Sequence, residues 1–416
     1  MQDVDFSKIK KVFFIGVGGI GISSLAKMMV SRGTEIAGVN DEESKKTLDP
    51  LREMGAKIFY KSDLKELPEA DMYVYSDAWM HRGPEIMAEA KGTGKPMLSY
   101  FEALGQFAKE YKVIAIAGTH GKTTTTAMVA EILVDAGLDP TVVVGSFVKK
   151  FGSNFRAGKS EYLVVEADEY NRHFLNFHPF IGVVTNIEAD HLDCYKDLAD
   201  IQSAFNKFSA QSEKVILDYS KYLEKVPKLA VPGIHNRQNA AAALAVADML
   251  GVDEEIAQKS LAEFSGTWRR LEKRGVTKEG TIIYDDYAHH PTEVRASLEA
   301  LRELYPKGEK KITVLFQPHL YSRTKALFDE FVGCFGEADQ VLLLPIYFAR
   351  EDKDPTISSE ILAEAIAKTG QNAQAFSDFD SAERGVSALN LGKDDIFVTM
   401  GAGEAYKVAD QVFHLG

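Results

Sequence analysis

Ile114-Ala-Ile-Ala-Gly-Thr-His-Gly-Lys-Thr-Thr-Thr-Thr126 decides the fold. The apolar run Val113–Ala117 reads as a buried parallel strand. Gly118 to Gly121 supplies a turn, and Lys122 with a threonine run leads into an apolar-periodic helix over Ala127–Ala136. Strand, glycine loop and helix N-terminus together make an anion site. Backbone N–H groups converge there, the helix dipole favours negative charge, and Lys122 adds a full positive charge. Gly118, Thr119, His120, Gly121, Lys122, Thr123 and Thr124 are therefore candidate ATP contacts, with Thr123 where a P-loop hydroxyl reaches Mg²⁺. The strict pattern has glycine five residues before Gly121, where this chain has Ile116, so the loop is a variant. The plainer alternative is a strand-to-helix turn that carries a lysine. Acids and a histidine further along supply what a Mg·ATP site needs.

Two strand ends after this loop are acidic. Tyr162-Leu-Val-Val-Glu-Ala-Asp-Glu169 is an apolar strand closing in Glu166, Asp168 and Glu169. Ile181-Gly-Val-Val-Thr185 is a second buried strand, followed by Asn186-Ile-Glu-Ala-Asp-His191 and Asp193. Carboxylates at the carboxyl ends of parallel strands beside a P-loop strand are placed to hold Mg²⁺, directly or through water. A single such acid is more often a cap or a solvated turn charge. Both clusters sit on one sheet edge, which favours a metal role for these acids and makes His191, at a strand end inside an acidic cluster, the informative residue.

Before this region, Lys11-Val-Phe-Phe-Ile15 reads as a strand. Gly16-Val-Gly-Gly-Ile-Gly21 follows and opens a helix through Met29. Asp41 closes the next strand, Glu35–Val39, at the offset of a dinucleotide fingerprint. Two readings stay open here. One is an NAD-binding oxidoreductase. The other is a Rossmann-like domain whose glycines Gly16, Gly18, Gly19 and Gly21 meet the phosphates of another nucleotide. Strand-helix alternation continues to a boundary near Tyr111.

Beyond Lys214-Val-Ile, Pro232-Gly-Ile-His-Asn-Arg-Gln-Asn239 opens an alanine-rich helix to Leu250. Asn236 and Asn239 are either cap residues or a face for a base or ribose. Phe264-Ser-Gly-Thr-Trp-Arg-Arg-Leu-Glu272 looks like a connector whose Arg269 is either solvated or within reach of phosphates. From about Gly275 the α/β pattern resumes. Asp285-Asp-Tyr-Ala-His-His-Pro-Thr-Glu293, Gln317-Pro-His-Leu-Tyr-Ser-Arg-Thr324 and Gly401-Ala-Gly-Glu404 each follow a strand. Polar clusters at three strand carboxyl ends are where doubly wound sheets bind ligands.

The bulk numbers agree with a multidomain α/β protein. Its 416 residues are 45% apolar and 26% charged, with two cysteines. A net charge of −13 argues against general nucleic-acid binding. The acidic opening Met1-Gln-Asp-Val-Asp-Phe6 is no secretory signal, and no apolar run reaches membrane-span length. Sparse, unpatterned cysteines fit a cytoplasmic location.

These motifs, in this order, resemble the Mur ligase family across nearly the whole chain. The resemblance rests on Gly16–Gly21, Gly118-Thr-His-Gly-Lys-Thr-Thr124, Glu166-Ala-Asp-Glu169 and Asn186-Ile-Glu-Ala-Asp-His191. It extends through Pro232-Gly-Ile-His-Asn236, Asp285-Asp-Tyr-Ala-His-His-Pro291 and Phe316-Gln-Pro-His-Leu-Tyr-Ser-Arg323. The last two look like the alanine-adding branch. The resemblance implies three domains: an N-terminal Rossmann-like domain (1–110), a central P-loop ATPase-like domain with a mostly parallel sheet (111–274) and a C-terminal Rossmann-like domain (275–416). It implies ATP-dependent joining of L-alanine to the carboxylate of UDP-N-acetylmuramate through an acyl phosphate, with Mg²⁺, in peptidoglycan precursor synthesis.

By the same resemblance, Lys122 grips phosphates, while Thr123 and Glu169 hold one Mg²⁺ and His191 another. Asn236 and Asn239 meet adenine, and Asp286 meets ribose. Tyr287, His289, His319 and Arg323 form the substrate and amino-acid face, with Lys122, His191, His289 and Arg323 as the catalytic set. Gly16, Gly18, Gly19, Gly21 and Asp41 hold the UDP-sugar rather than NAD. The implied partners are small molecules only, with no nucleic acid and no membrane, and the chain is expected as a monomer or weak homodimer.

The chain departs from the family pattern in places. The stretch from Leu217 to Pro232 is short, so the central domain looks trimmed. Glu169-Tyr-Asn-Arg-His-Phe174 replaces a commoner Glu-Ser-Asp-Gly-Ser-Phe, and Leu320 stands where many members carry a basic residue. Three competitors remain: a sister ligase that attaches a recycled tripeptide to the same nucleotide sugar, the oxidoreductase, and a non-catalytic nucleotide binder.

Overall fold

In the computed structural model, residues 4–191, 194–348 and 351–415 are described. Three sheets form, and the chain divides into two compact units. The first unit runs to Lys228 and adds Gln238–Ser265; the second holds Leu229–Arg237 and everything from Gly266.

The first sheet contains β1 (Lys11–Ile15), β2 (Glu35–Asn40), β3 (Lys57–Tyr60), β4 (Met72–Tyr75) and β5 (Met97–Ser99). Its order is β3-β2-β1-β4-β5 and every pairing is parallel, a doubly wound arrangement. β1 and β4 flank the point where strand order reverses, which leaves a crevice at their carboxyl ends. The glycine loop of residues 16–21 stands there, before the Ile20–Ser31 helix.

The second sheet comprises β6 (Lys112–Ala117), β7 (Thr141–Val148), β8 (Ser153–Arg156), β9 (Tyr162–Glu166), β10 (Ile181–Val184) and β11 (Lys214–Ile216). Its order is β11-β10-β6-β9-β7-β8. The P-loop strand β6 therefore lies between β9 and β10, the two strands that end in acids. Ile114, Ala115, Ile116 and Ala117 are fully buried, as a strand covered on both faces requires. The helix starts earlier than its apolar period suggests, at Lys122, and runs to Asp135. Gly121, at φ +81°, turns the chain into it, and the Thr126 hydroxyl bonds back to the Lys122 carbonyl at 2.8 Å. That back-bond satisfies one buried hydroxyl of this β-branched run. The antiparallel β7–β8 hairpin is not evident in the sequence, because its strands are not set off by a clean alternation.

Beyond β11 the shortened stretch closes on two tyrosines. Tyr219 donates its hydroxyl to the Thr185 carbonyl at 2.6 Å, and Tyr222 donates to Asp248 at 2.6 Å. The first bond holds the chain just beyond β10, where Asn186 to His191 follow, and the second ties the stretch to the Ile234–Met249 helix.

In the second unit, β12 (Glu272–Val276), β13 (Ile282–Asp286), β14 (Lys311–Phe316), β15 (Gln340–Leu343), β16 (Ala373–Ala375) and β17 (Asp395–Met400) order as β12-β13-β17-β14-β15-β16. Only β12–β13 is antiparallel. The carboxyl ends of β13, β14 and β17 are adjacent, which brings the three polar loops of this unit together. Among the described residues no helix is long and apolar enough to cross a membrane.

Candidate functional site

The P-loop corner of the first unit is built from backbone outward. Gly118 has φ +140°, and a Cβ there would stand 1.9 Å from the Thr185 hydroxyl. A Cβ on Gly121 would stand 2.3 Å from Asn239 Oδ1. Both positions therefore exclude a side chain. The loop is laced to the next strand end: Thr119 N donates to the Asn186 carbonyl (3.0 Å) and Glu188 N to the Thr119 hydroxyl (2.9 Å). His120 N donates to Asn186 Oδ1 (2.9 Å), and the His120 ring lies 3.4 Å from Glu188. Thr124 is buried in the first helical turn.

Lys122 folds into this loop. Its Nζ donates to the carbonyls of Gly118 (2.6 Å) and Thr119 (3.1 Å) and lies 2.7 Å from Glu169 Oε2. Burial alone would pull the ammonium down, but Glu169, Asp168 and Glu166 outweigh it and hold the lysine above its ordinary pKa. For Glu169 burial pushes upward, and Lys122 with His191 reverses that. Asp168 is raised, by burial and by the charge of Glu169. Lys122 is thus the cation that keeps Glu169 charged beside Asp168.

Thr123 donates to Glu166 Oε1 at 2.8 Å, and the other oxygen of Glu166 accepts from Gly145 N. His191 brings its Nε2 to 3.5 Å from Glu169 Oε1 and 3.7 Å from Asp190. Its φ of +55° is strained for a histidine, costing about 1–3 kcal/mol, a pattern that clusters at ligand sites. His191 Nδ1 is buried and has no hydrogen-bond partner among the described residues. Tyr195, which the sequence reading missed, donates to the Glu169 carbonyl at 2.6 Å, and the Tyr170 ring meets His191 edge-on at 5.1 Å. Asp193 lies outside the described residues.

The glycine loop of the first sheet is equally tight. Gly16 (φ +83°) faces Trp79, whose Cδ1 would be 2.3 Å from a Cβ, and Gly21 faces the Tyr100 ring at 2.9 Å. Gly18 N donates to Asn40 Oδ1 (3.1 Å), Thr47 donates to the Gly18 carbonyl (2.8 Å), and Gly19 N donates to the Gly16 carbonyl (3.2 Å). Asp41 is paired with Arg82 at 3.1 Å. Trp79, Tyr100 and Arg82 carry no local motif, and only the fold reveals them.

In the second unit Asp286 ends β13, buried, accepting from Ala288 N (3.1 Å) and from the Ser297 hydroxyl. Burial pushes its carboxyl up to about 6. Asn236 donates to the Pro232 carbonyl at 2.6 Å, three positions before Asn239 on the Ile234–Met249 helix. Arg269 is only 3% exposed. Its nitrogens donate to Asp285 (2.8 Å), to the Gly403 carbonyl (3.0 Å) and to the Gly401 carbonyl (2.8 Å). Every guanidinium nitrogen thus already donates inside this unit.

The remaining candidates meet in one cluster. The His289 ring lies edge-on to Tyr287 at 5.5 Å and to His319 at 5.8 Å, and Arg323 Nη1 is 3.2 Å from His319 Nδ1. Tyr347 stacks on His319 at 5.6 Å and was not foreseen, because it belongs to a fourth loop. Leu320, at φ +69°, turns the chain so that Arg323 points back at His319.

Comparison with known proteins covers nearly all of these elements. The Mur ligase family catalytic domain matches residues 11–112, the Mur ligase middle domain 116–226, and the Mur ligase glutamate ligase domain 269–403. The UDP-N-acetylmuramate–L-alanine ligase of Caldanaerobacter subterraneus is 38% identical, over 99% of this chain and 98% of its own length. That of Agathobacter rectalis is 38% identical over 99% of each. Among solved structures, the UDP-N-acetylmuramate-alanine ligase of Thermotoga maritima superposes with a TM-score of 0.81 at 27% identity, covering 97% of this chain and 98% of that one. A murein peptide ligase from Psychrobacter arcticus shares the fold, with a TM-score of 0.70 at 22% identity over 98% of each chain.

Proposed function

The chain belongs to the Mur ligase family, and on that premise we infer that it joins L-alanine to the carboxylate of UDP-N-acetylmuramate at the expense of ATP. The carrying observation is the P-loop corner, where Lys122, Glu169 and His191 converge beside β6. An NAD enzyme has no use for that corner, and a pure nucleotide binder needs no histidine beside the acid pair. The chemistry balances simply. A carboxylate oxygen attacks the γ-phosphorus, ADP leaves, and an acyl phosphate forms. The alanine nitrogen then attacks the acyl carbon, the amine loses a proton, and the C–O bond to phosphate breaks. Activation is needed because a carboxylate is a poor electrophile towards an amine.

Within this reading the loop from Gly118 to Thr124 cradles the triphosphate, and Lys122 exchanges Glu169 for phosphate oxygens when ATP enters. Asn236 and Asn239 face the base, and Asp286 the ribose. Thr123 and Glu169 offer oxygen donors that fit one Mg²⁺ completed by water, and His191 stands beside Glu169 for a second. His191 Nε2 lies 3.5 Å from Glu169 Oε1, so the imidazole nitrogen that would face a cation is the one beside the acid. When bound, Mg²⁺ neutralises charge on the transferring phosphoryl group. His289, His319 and Arg323 receive the amino acid, whose carboxylate suits a buried guanidinium. Gly16, Gly18, Gly19 and Gly21 approach the UDP diphosphate, with Asp41 near the nucleoside. We further propose three domains at 1–110, 111–274 and 275–416, a cytoplasmic location, and a monomer or weak homodimer.

The test is phosphate release from ATP with UDP-N-acetylmuramate, with and without L-alanine, and the mass of the product. Release that needs both substrates, with a product heavier by one alanyl residue, supports the reading. Turnover only with a tripeptide would move the chain to the recycling activity, and silence with both would sink the ligase.

A further inference from the structure

A ladder of rings runs from the glycine loop to the P-loop corner. The Tyr100 ring packs over Gly21 and lies 4.6 Å from Phe101. Phe101 stacks on His173 at 4.2 Å and 19°, and Tyr170 touches His173 (6.0 Å) and His191 (5.1 Å). His173 is the polar rung. Its Nε2 lies 2.9 Å from Asp77 Oδ2, two residues before the Trp79 that faces Gly16. Its Nδ1 is buried and has no hydrogen-bond partner among the described residues.

The backbone is bent to hold it there. Asn171 and Arg172 both adopt left-handed φ, +48° and +59°. Arg172 is locked by a two-pronged contact to Asp200 (2.8 and 2.7 Å) and by the Tyr195 ring at 4.6 Å. Consecutive non-glycine residues in this region persist only when their surroundings over-determine them, and such strain gathers at ligand sites. A buried acceptor with no partner is costly unless a ligand supplies one.

Resting on the ligase reading above, we propose that His173 is a positioning residue for the sugar of the nucleotide-sugar substrate. Asp77 accepts the Nε2 proton and so fixes the tautomer, which leaves the Nδ1 lone pair to accept from a hydroxyl or amide N–H of that sugar. The sugar must cross this gap, because its diphosphate belongs to the glycine loop and its carboxylate to the Lys122 corner. His173 thereby sets how far the carboxylate reaches towards the phosphoryl group.

Two substitutions separate substrate contact from simple tethering. H173Q keeps a donor for Asp77 at the ε position and loses the δ acceptor; H173N does the reverse. Calorimetric titration of UDP and of UDP-N-acetylmuramate, with KM and kcat for the same proteins, reads the difference. H173Q is expected to bind UDP normally, to bind UDP-N-acetylmuramate about tenfold more weakly, and to raise its KM more than it lowers kcat. H173N should stay within about threefold of wild type in that affinity. H173Q indistinguishable from wild type, with H173N impaired, would make His173 a tether and overturn the proposal, as would loss of UDP binding in both. Wild-type protein that binds UDP-N-acetylmuramate no better than UDP would sink the ligase reading, and the sugar contact with it.

Discussion

The ammonium of Lys122 lies 2.7 Å from Glu169 Oε2, with the two side chains 14% and 3% exposed. Both charges are removed from water, and each offsets the other's burial. In the proposed reaction the lysine transfers to phosphate and the carboxylate to a cation, so each must leave the other. K122M should lower kcat by about 10²–10³ or more, the range seen when one donor to a developing anion is removed. E169Q should be as inactive and should also lose the metal dependence of ATP binding. Steady-state kinetics across a Mg²⁺ titration tests this; near-normal kcat in K122M would remove the lysine from the chemistry.

Gly121 and Asn239 are the second coupled pair. G121A brings a Cβ to 2.3 Å from Asn239 Oδ1 and forces alanine to φ +81°. ATP affinity should fall by more than about tenfold, since backbone strain alone is of order 1–3 kcal/mol. N239A in the same chain removes the clash but also a proposed base contact and leaves the strain, so the double variant should bind ATP more weakly than N239A alone. Equal ATP affinity in the double variant and in N239A alone would show that the left-handed turn is dispensable.

The reason these groups meet was largely legible in the sequence. β6, β9 and β10 are short apolar runs ending in glycine, acids or asparagine, and parallel pairing alone puts those ends side by side. The three polar loops of the second unit were legible for the same reason. Trp79, Tyr195, Tyr347 and the Asp77–His173 pair were not, because an isolated aromatic or histidine has no periodicity and gains meaning only from a neighbour distant in sequence. The β7–β8 hairpin escaped because strand signals of this kind depend on packing context. Asp41 was read as a nucleotide contact from spacing alone, whereas the fold also pairs it with Arg82.

Arg269 permits a clean separation of stability from nucleotide contact. Its bonds to Asp285, Gly401 and Gly403 lie inside the second unit, and Asp285 is 1% exposed. R269M leaves that carboxylate buried with its guanidinium removed, which should cost about 3–5 kcal/mol. R269K should recover only part, because an ammonium cannot span three acceptors in a plane. Denaturant unfolding measures the loss. A variant of unchanged stability whose KM for ATP has risen would instead place Arg269 on the phosphates.

Glu131 sits on the helix that follows the P-loop, 3% exposed, and its Oε1 has no hydrogen-bond partner among the described residues. Burial pushes its carboxyl up to about 7, against a downward pull from Lys150. The sign follows from proton counting. The folded state holds this proton more tightly than the unfolded chain, so the favourable contribution is complete below about pH 4.5 and disappears as pH climbs to about 7. Above that, the folded protein carries a buried carboxylate at a cost of about 3 kcal/mol, from about 1.4 kcal/mol per pH unit. E131Q should therefore melt higher than wild type at pH 8 and nearly level with it at pH 5. Equal melting temperatures at pH 8 would mean that Glu131 is ionised and solvated there, with Lys150 as its partner.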